Sequence, residues 1–302
     1  MPGRTLVTGA RGFAGCHLVR HLRERGEDVV GPSSAEVDLR DADRTRELVR
    51  EVRPARVFHL AALASVGRSW EEPGRTLADN QAMTLALLEA VRHEAPGARV
   101  LIAGTGDAYG APDALPVTED APLAPENPYA LSKASCDLLG RLYARAWGLS
   151  VVRTRAFNHA GPGQADDYVV GTLTRQVAAA EVAGEASVVV HTGNPDSARD
   201  FTDVRDVVRA YDAAIELASG AYNIASERGV TVKELIEAIR EQTRLEIRHE
   251  VDPDRVRRHD VPEIRGSAAR LREATGWRPQ IALEQTLADA ISWWRDELAQ
   301  GA

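Results

Sequence analysis

Short apolar runs alternate with longer amphipathic segments through the first half of the chain. Runs rich in Val, Leu and Ile without polar alternation are typical of strands that are buried on both faces of a sheet. The segments between them carry apolar residues at helical spacing. The pattern predicts strands at Arg4–Thr8, Asp28–Gly31, Arg56–Leu60, Arg99–Gly104 and Ser150–Arg155, and helices at Phe13–Arg25, Asp41–Val52, Arg75–Glu94 and Tyr129–Trp147.

This alternation predicts parallel βαβ units with right-handed crossovers. We therefore expect an α/β fold, with a doubly wound Rossmann sheet and a smaller mixed α/β region after it. The expected division is a dinucleotide-binding domain at 1–157 and a mainly substrate-binding domain at 158–302, with parts of 200–225 returning to the first domain. The second half is predicted to contain helices at Val169–Ala183, Val204–Ala218, Thr231–Gln242 and Glu284–Leu298, and strands at Ser187–His191 and Ala221–Ile224.

Composition excludes several classes of function. The 302 residues are 44% hydrophobic and 27% charged, which is ordinary for a globular protein, and the net charge of −8 argues against nucleic-acid binding. No apolar run is long enough to span a bilayer, and no signal-peptide core follows Met1. The two cysteines lie in separate predicted helices, and the eight histidines are scattered without metal-ligand spacing. We expect a cytoplasmic protein with no metal site and no membrane or nucleic-acid partner.

A glycine-rich turn directly follows the first predicted strand. Gly9, Gly12 and Gly15 stand at three-residue spacing and open the first helix. Glycines permit a tight turn close to a diphosphate, and the helix N-terminus adds N–H groups and a positive dipole end. We predict a dinucleotide site here that includes Arg11 and Phe13, although a purely structural glycine turn is the alternative.

The end of the second strand bears on the choice of cofactor. NAD sites usually place an acidic residue about 20 residues past the glycines, but the sequence at 31–34 is Gly-Pro-Ser-Ser. Arg11 and hydroxyl groups such as that of Ser33 could instead receive a 2′-phosphate, so NADP(H) is favoured and NAD(H) is the alternative. Asp38 and Leu39 are expected at the adenine edge, although Asp38 could equally cap the next helix.

Tyr129 and Lys133 stand four positions apart at the start of a helix that Asn127 and Pro128 introduce. This spacing puts both side chains on one helical face. We expect the ammonium to lower the tyrosine pKa from its free value of about 10, which would make the phenol an acid or base near neutral pH. Taken alone, the spacing fits an ordinary amphipathic helix equally well.

The loop at 104–110 follows the fourth strand and should therefore lie at the same sheet edge as the glycine turn. The hydroxyl of Thr105 is suited to hydrogen-bond a substrate carbonyl. Asp107 is a candidate second acid or base in contact with substrate, or else a cap for a glycine-rich turn.

Four motifs occur together in this order: Thr8–Gly15, His59–Ala62, Thr105 and Tyr129–Lys133. The combination resembles the extended short-chain dehydrogenases/reductases over nearly the whole chain. The resemblance implies that Tyr129 is the acid/base, that Lys133 binds the nicotinamide ribose and tunes Tyr129, and that Thr105 orients the sugar oxygen. It also places Leu60, Ala61 and Ala62 beside the cofactor.

Within that family, three segments resemble those of the GDP-4-keto-6-deoxy-mannose reductases: residues 65–70, 155–164 and 199–207. The resemblance selects Arg199 and Arg257 for the diphosphate, because a guanidinium binds two phosphate oxygens at once. Asn158 is expected to bridge sugar or phosphate oxygens, whereas His159 is at least as well explained as a structural residue.

One segment departs from that group. Thr105-Gly106-Asp107 stands where the reductases more often have Ser-Ser-Glu. The change from Ser to Thr keeps the hydroxyl, but Asp107 is one methylene shorter than the Glu that dehydratases use as a base. The departure therefore weakens a dehydratase interpretation.

The resemblance implies an NAD(P)H-dependent reductase of the C4 keto group of a nucleotide-linked 4-keto-6-deoxy-hexose, with a GDP sugar favoured and GDP-rhamnose as the product. The alternatives are a nucleotide-sugar 4-epimerase or 4,6-dehydratase with bound NAD, and a non-catalytic dinucleotide-binding sensor. The family also implies a homodimer. The apolar residues that could serve either its seam or the core are Met83, Leu87, Leu138 and Leu142.

Overall fold

The computed structural model describes residues 3–256 and 261–300. Arg257, one of the predicted substrate residues, lies outside the described residues. The described strands are β1 Thr5–Thr8, β2 Val29–Val30, β3 Arg56–His59, β4 Arg99–Thr105, β5 Ser150–Ala156, β6 Asn158–Ala160, β7 Ser187–Thr192, β8 Ala198–Asp203, β9 Gly220–Ile224, β10 Gly229–Thr231, β11 Glu246–Val251 and β12 Glu263–Ile264. The described helices are α1 Phe13–Glu24, α2 Ala42–Val52, α3 Val66–Glu71, α4 Pro73–Glu94, α5 Pro128–Trp147, α6 Val169–Val182, α7 Val204–Ala214, α8 Val232–Arg240, α9 Ala269–Thr275 and α10 Leu283–Gln300.

Six strands form one parallel sheet in the order β2-β1-β3-β4-β5-β9. The chain passes from β1 to β2 in one direction and continues from β3 to β5 in the other. The topological switch point therefore lies between β1 and β3, where open α/β sheets bind their ligands. The predicted doubly wound parallel sheet is confirmed.

Both faces of this sheet are covered, which explains the continuous apolar runs. Successive residues of β1 point to opposite faces, so that Val7 packs in the core beside α1 and α7 and Leu6 packs in the core beside α2, α4 and α5. Both side chains are fully buried. The alternation within each strand is thus between two cores rather than between core and solvent.

The remaining strands form smaller sheets next to a third core. β8 pairs with β6, β10 and β12, β11 pairs with β7, and the helices α6, α8 and α10 pack beside them. The prediction of a smaller mixed α/β region is confirmed. β9 pairs in parallel with β5 in the large sheet, whereas the domain boundary at 157/158 stays a prediction.

The analysis of apolar patterns missed β8 because its sequence is largely polar. Asp200 on this strand is nevertheless buried, and its carboxylate accepts hydrogen bonds from Ser226 and from the backbone N–H groups of Glu227 and Gly266. Buried polar groups need such partners, and here they come from segments that are distant in sequence. A pattern of apolar residues carries no information about them.

Helix ends follow local capping chemistry. Asn127 accepts a hydrogen bond from the N–H of Ala130, and Gly148 closes α5 with a φ of +69°, as predicted. α8 begins one residue later than predicted because Thr231 is its cap and forms a capping box with Glu234. The helix predicted over Val204–Ala218 ends at Ala214, before the turn that leads into β9.

Candidate active site

The carboxyl ends of the large sheet open into a cleft of about 1910 Å³. Single small-molecule pockets measure roughly 300–1,000 Å³, so this cleft has room for a dinucleotide and a second ligand. The predicted site residues that line it are Gly9, Arg11, Gly12, Phe13, Gly15, Ser33, Asp38, Leu39, Leu60, Ala61, Ala62, Thr105, Asp107, Tyr129, Lys133, Asn158 and Arg199.

The glycine turn forms a backbone cradle at one end of the cleft. A Cβ on Gly9 would lie 2.6 Å from the amide nitrogen of Ala61, and one on Gly15 would lie 2.0 Å from the carbonyl oxygen of Gly9. Side chains are therefore excluded at both positions, and strand, turn and helix pack at backbone distance. Gly12 is the N-cap of α1 and offers no side chain to its first turn. The arrangement fits the diphosphate of a dinucleotide.

Thr105 and Tyr129 meet beside this cradle. Thr105 ends β4, where its hydroxyl accepts a hydrogen bond from the N–H of Asp107 at 3.2 Å and is near enough to the Tyr129 phenol to influence its pKa. Tyr129 lies in the first turn of α5 and reaches the cleft, as does Lys133 one turn later. The structure thus brings the three predicted catalytic side chains to one wall of the cleft.

The predicted lowering of the tyrosine pKa is wrong for the chain alone. Burial raises the pKa of Tyr129 above its ordinary value, and the negative charge of Asp107 raises it further, whereas the neighbouring Thr105 hydroxyl lowers it in part. Lys133 is itself buried, which lowers the pKa of its ammonium. In this state Tyr129 is held as a neutral phenol, which is the proton-donating form.

A buried polar group that sequence reasoning missed holds the catalytic helix in place. Asn80 of α4 accepts a hydrogen bond from the N–H of Leu63 at 2.7 Å and donates one to the Ser132 hydroxyl at 2.8 Å. Ser132 in turn donates to the carbonyl of Tyr129 at 2.7 Å. The signal was present in the sequence, because Asn80 interrupts a helix whose buried face is otherwise mostly apolar.

The end of the cleft at which we predict the adenine carries two local charge clusters. Asp38 accepts hydrogen bonds from the guanidinium and backbone N–H of Arg40, which hold its carboxyl pKa low, at about 2. Ser33 donates both its N–H and its hydroxyl to Glu36, whose carboxylate also lies 3.7 Å from Arg11. The predicted contact of Asp38 with adenine stays a prediction.

Two of the predicted substrate residues, Asn158 and Arg199, line the same cleft. Asn158 begins β6, and Arg199 on β8 donates hydrogen bonds to the backbone carbonyls of Ala198 and Val261. His159 stacks on Phe13 with ring centroids 5.8 Å apart, and burial lowers its pKa. This packing supports the structural role that was one of the two interpretations of His159.

The rim of the cleft is bridged by contacts between sequence-distant segments. The Tyr168 hydroxyl donates to the carbonyl of Ala64 at 3.3 Å, and the guanidinium of Arg68 lies 3.4 Å from the Asp167 carboxylate. Arg68 belongs to a segment that resembled the reductase group, but α3, which contains it, was missed. At six residues, α3 is too short to show a helical period.

Two features are absent from the described ranges 3–256 and 261–300. No group of three His, Cys, Asp or Glu side chains is arranged to hold a metal ion. No helix there has the length and apolar character needed to cross a membrane.

Comparison with known proteins identifies the family. The family model described as GDP-mannose 4,6 dehydratase matches residues 32–290. The chain belongs to this family.

The chain is also similar to several individual enzymes. The GDP-6-deoxy-D-mannose reductase of Pseudomonas aeruginosa is 35% identical over 99% of this chain and 100% of its own length. The structure of RMD from the same organism in complex with NADPH has a TM-score of 0.89, with 35% identity over 98% of this chain and 99% of that one. UDP-glucose 4-epimerase of Thermus thermophilus in complex with NAD has a TM-score of 0.85, with 30% identity over 97% of this chain and 99% of that one.

These findings confirm the resemblance to the extended short-chain dehydrogenases/reductases. The family and the neighbours include dehydratase, reductase and epimerase, so membership alone does not select one reaction. The roles of the individual site residues stay predictions.

The position of Asp107 generates a testable prediction about pH. Because its charge raises the Tyr129 pKa, Asp107→Asn should lower that pKa. If Tyr129 donates a proton during reduction, kcat falls where the phenol ionises, and this descending limb should move to lower pH in the variant. Since burial holds the Tyr129 pKa far above its ordinary value, profiles of kcat measured up to the alkaline limit of protein stability should begin to fall at a lower pH in the variant than in the unmodified protein.

Asp113→Asn is the matched control, since Asp113 is an exposed carboxylate in the loop between β4 and α5. Its profile should coincide with that of the unmodified protein. A descending limb that stays in place or moves to higher pH in Asp107→Asn would contradict the assignment.

Proposed function

We propose that the chain is an NAD(P)H-dependent reductase of the C4 keto group of a nucleotide-linked 4-keto-6-deoxy-hexose. The favoured substrate is GDP-4-keto-6-deoxy-mannose and the favoured product is GDP-rhamnose. The full-length similarity to a GDP-6-deoxy-D-mannose reductase supports this choice among the family's reactions.

The observation that carries the proposal is the pair formed by Thr105 and Tyr129. Both side chains line the cleft that the glycine cradle also lines, and the Thr105 hydroxyl is near enough to the Tyr129 phenol to influence its pKa. A carbonyl oxygen placed between these groups would accept hydrogen bonds from both. Two such donors stabilise the negative charge that develops on the oxygen during reduction.

NADPH or NADH, when bound, supplies the hydride. Thr105 orients the carbonyl, and Tyr129 gives its proton to the forming alkoxide. Lys133 lies one helical turn from Tyr129, where its ammonium can bind the nicotinamide ribose and offset the charge left on the phenolate. Asn158 and Arg199 are positioned along the cleft to bind the nucleotide sugar, and Asp107 to contact its ring.

We propose NADPH as the favoured reductant. Arg11 and Ser33 at the adenine end supply a guanidinium, a hydroxyl and a backbone N–H, which are suitable donors for a 2′-phosphate. The NADPH in the structure of the Pseudomonas RMD supports the same choice.

A nucleotide-sugar 4-epimerase is the second candidate, since structural neighbours include an epimerase in complex with NAD. An epimerase returns the hydride to the sugar and needs no external reductant. The 4,6-dehydratase alternative is less well supported, because Asp107 is shorter than the Glu expected of such a base.

We also propose the domain division at 157/158, a cytoplasmic location and a homodimer. Leu138 and Leu142 of α5 are 51% and 52% exposed, as is Leu85 of α4 at 43%, whereas Leu87 is buried in the core. The α4–α5 face is therefore the proposed seam.

Replacing the phenol tests the catalytic assignment. Tyr129→Phe should reduce kcat at least a hundredfold, because the loss of a general acid usually slows a reaction by about that factor or more. The affinity for NADPH should stay nearly unchanged. Steady-state assays and fluorescence titration of NADPH would measure the two quantities. Tyr222→Phe is the control, because this hydroxyl only donates to the Ala218 carbonyl near the surface.

Equal turnover in Tyr129→Phe and the unmodified protein would show that another group is the acid.

A separate experiment distinguishes a reductase from an epimerase. The purified protein should need added NADPH for turnover. Retained NAD together with turnover in the absence of added cofactor would favour the epimerase instead.

The dimer seam gives a separate prediction. We expect the unmodified protein to have the mass of a dimer by light scattering, and Leu138→Glu with Leu142→Glu to be a monomer, because burying two charges is costly. Val251→Glu is the control, because it replaces an exposed apolar residue outside this seam. It should leave the mass unchanged. A monomeric unmodified protein at micromolar concentration would contradict the proposed seam.

A further inference from the structure

The donors proposed for a 2′-phosphate are already engaged by a carboxylate of the chain itself. One oxygen of Glu36 accepts hydrogen bonds from the Ser33 N–H at 2.7 Å and from the Ser33 hydroxyl at 2.6 Å. The guanidinium of Arg11 lies 3.7 Å from the same oxygen. A backbone N–H, a hydroxyl and a guanidinium thus converge on one anionic oxygen.

This set of donors is the one that a phosphate monoester would use. Both Ser33 and Arg11 line the cleft at its adenine end. A 2′-phosphate that bound them would have to displace the Glu36 carboxylate or lie beside it, and two anions at that distance repel each other. A ribose 2′-hydroxyl brings no such repulsion and can donate a hydrogen bond to the carboxylate.

The carboxylate is held in this position by the local backbone. The N–H of Glu36 donates to the Ser33 hydroxyl at 3.3 Å, and the N–H of Val37 donates to the Ser33 carbonyl at 3.0 Å. The reciprocal contacts between Ser33 and Glu36 are those of a capping box. The hydrogen bonds from Ser33 lower the pKa of Glu36, so it is anionic at neutral pH.

We infer that Glu36 is a residue that sets cofactor specificity: its carboxylate competes with the 2′-phosphate for Ser33 and Arg11 and reduces the preference for NADP(H) over NAD(H). The inference rests on the dinucleotide site of the proposed function. Glu36 lies in the turn that follows β2 and not at the end of the strand. The sequence at the strand end therefore contains no carboxylate.

Two adenine nucleotides that differ in the 2′-phosphate can be used to measure how this group binds. 2′,5′-ADP carries the 2′-phosphate, and 5′-AMP lacks it. Calorimetric titration of the full chain with each gives an affinity ratio that needs no turnover. Glu36→Gln keeps the size of the side chain and removes its charge, so we expect the ratio of 2′,5′-ADP to 5′-AMP affinity to rise about fivefold or more, chiefly because 2′,5′-ADP binds more tightly.

Glu24→Gln is the matched control, since it removes the same charge from the far end of α1. It should leave the ratio as it is in the unmodified protein. Adding Arg11→Gln to Glu36→Gln should abolish the gain, because the phosphate then loses its guanidinium.

An unchanged ratio of 2′,5′-ADP to 5′-AMP affinity in Glu36→Gln would overturn the inference, and so would an equal rise of this ratio in Glu24→Gln. The inference would also be overturned if neither Glu36→Gln nor the unmodified protein bound 2′,5′-ADP. These outcomes are separate from those of the reductase assays. Failure to reduce a keto sugar would refute the proposed reaction while leaving the affinity ratio intact.

Discussion

A chain of buried hydrogen bonds connects the glycine turn to the catalytic helix, and the geometry of the cleft depends on it. Thr8 on β1 lies 2.8 Å from Nδ1 of His59 on β3, and Nε2 of the same ring lies 3.0 Å from the Thr84 hydroxyl on α4. The hydroxyl oxygen of Thr84 in turn lies 3.1 Å from Sγ of Cys136 on α5. The cofactor cradle and the Tyr129 helix are thereby fixed relative to each other through the interior.

These contacts assign donor and acceptor roles to the His59 ring. Thr84 donates its single hydroxyl proton to the carbonyl of Asn80, so its oxygen accepts a proton from Nε2 of His59. In the neutral ring, Nδ1 is then the acceptor for Thr8. Burial lowers the His59 pKa to about 3, which keeps the ring in that form throughout the working pH range. A fully buried histidine with two partners of this kind is a structural element and not a proton carrier.

Local sequence signals predicted the part of the site that depends on backbone geometry. Gly9 and Gly15 are required by close backbone approaches, and Asn127 and Gly148 by the two ends of α5, so each could be recognised from its neighbours. The direction in which the Tyr129 pKa shifts could not be predicted in this way, because it is set by burial and by Asp107, which belongs to another loop.

The same limit explains the remaining differences. Asn80 holds the catalytic helix through partners that are distant in sequence, and Asp200 makes a polar segment into a buried strand in the same way. Glu36 contacts Ser33 through a short turn, but its inferred role depends on Arg11 in the loop after the neighbouring strand β1. Residues whose role arises from tertiary contacts leave little trace in local periodicity or spacing.

In the proposed reaction a hydride passes from an added cofactor to C4 of a keto sugar. NADPH that carries deuterium at the transferable position, incubated with the protein and GDP-4-keto-6-deoxy-mannose, tests it directly. Nuclear magnetic resonance of the product should show one deuterium at C4 for each NADPH consumed. A product without deuterium at C4, formed while the NADPH remains unconsumed, would contradict the account.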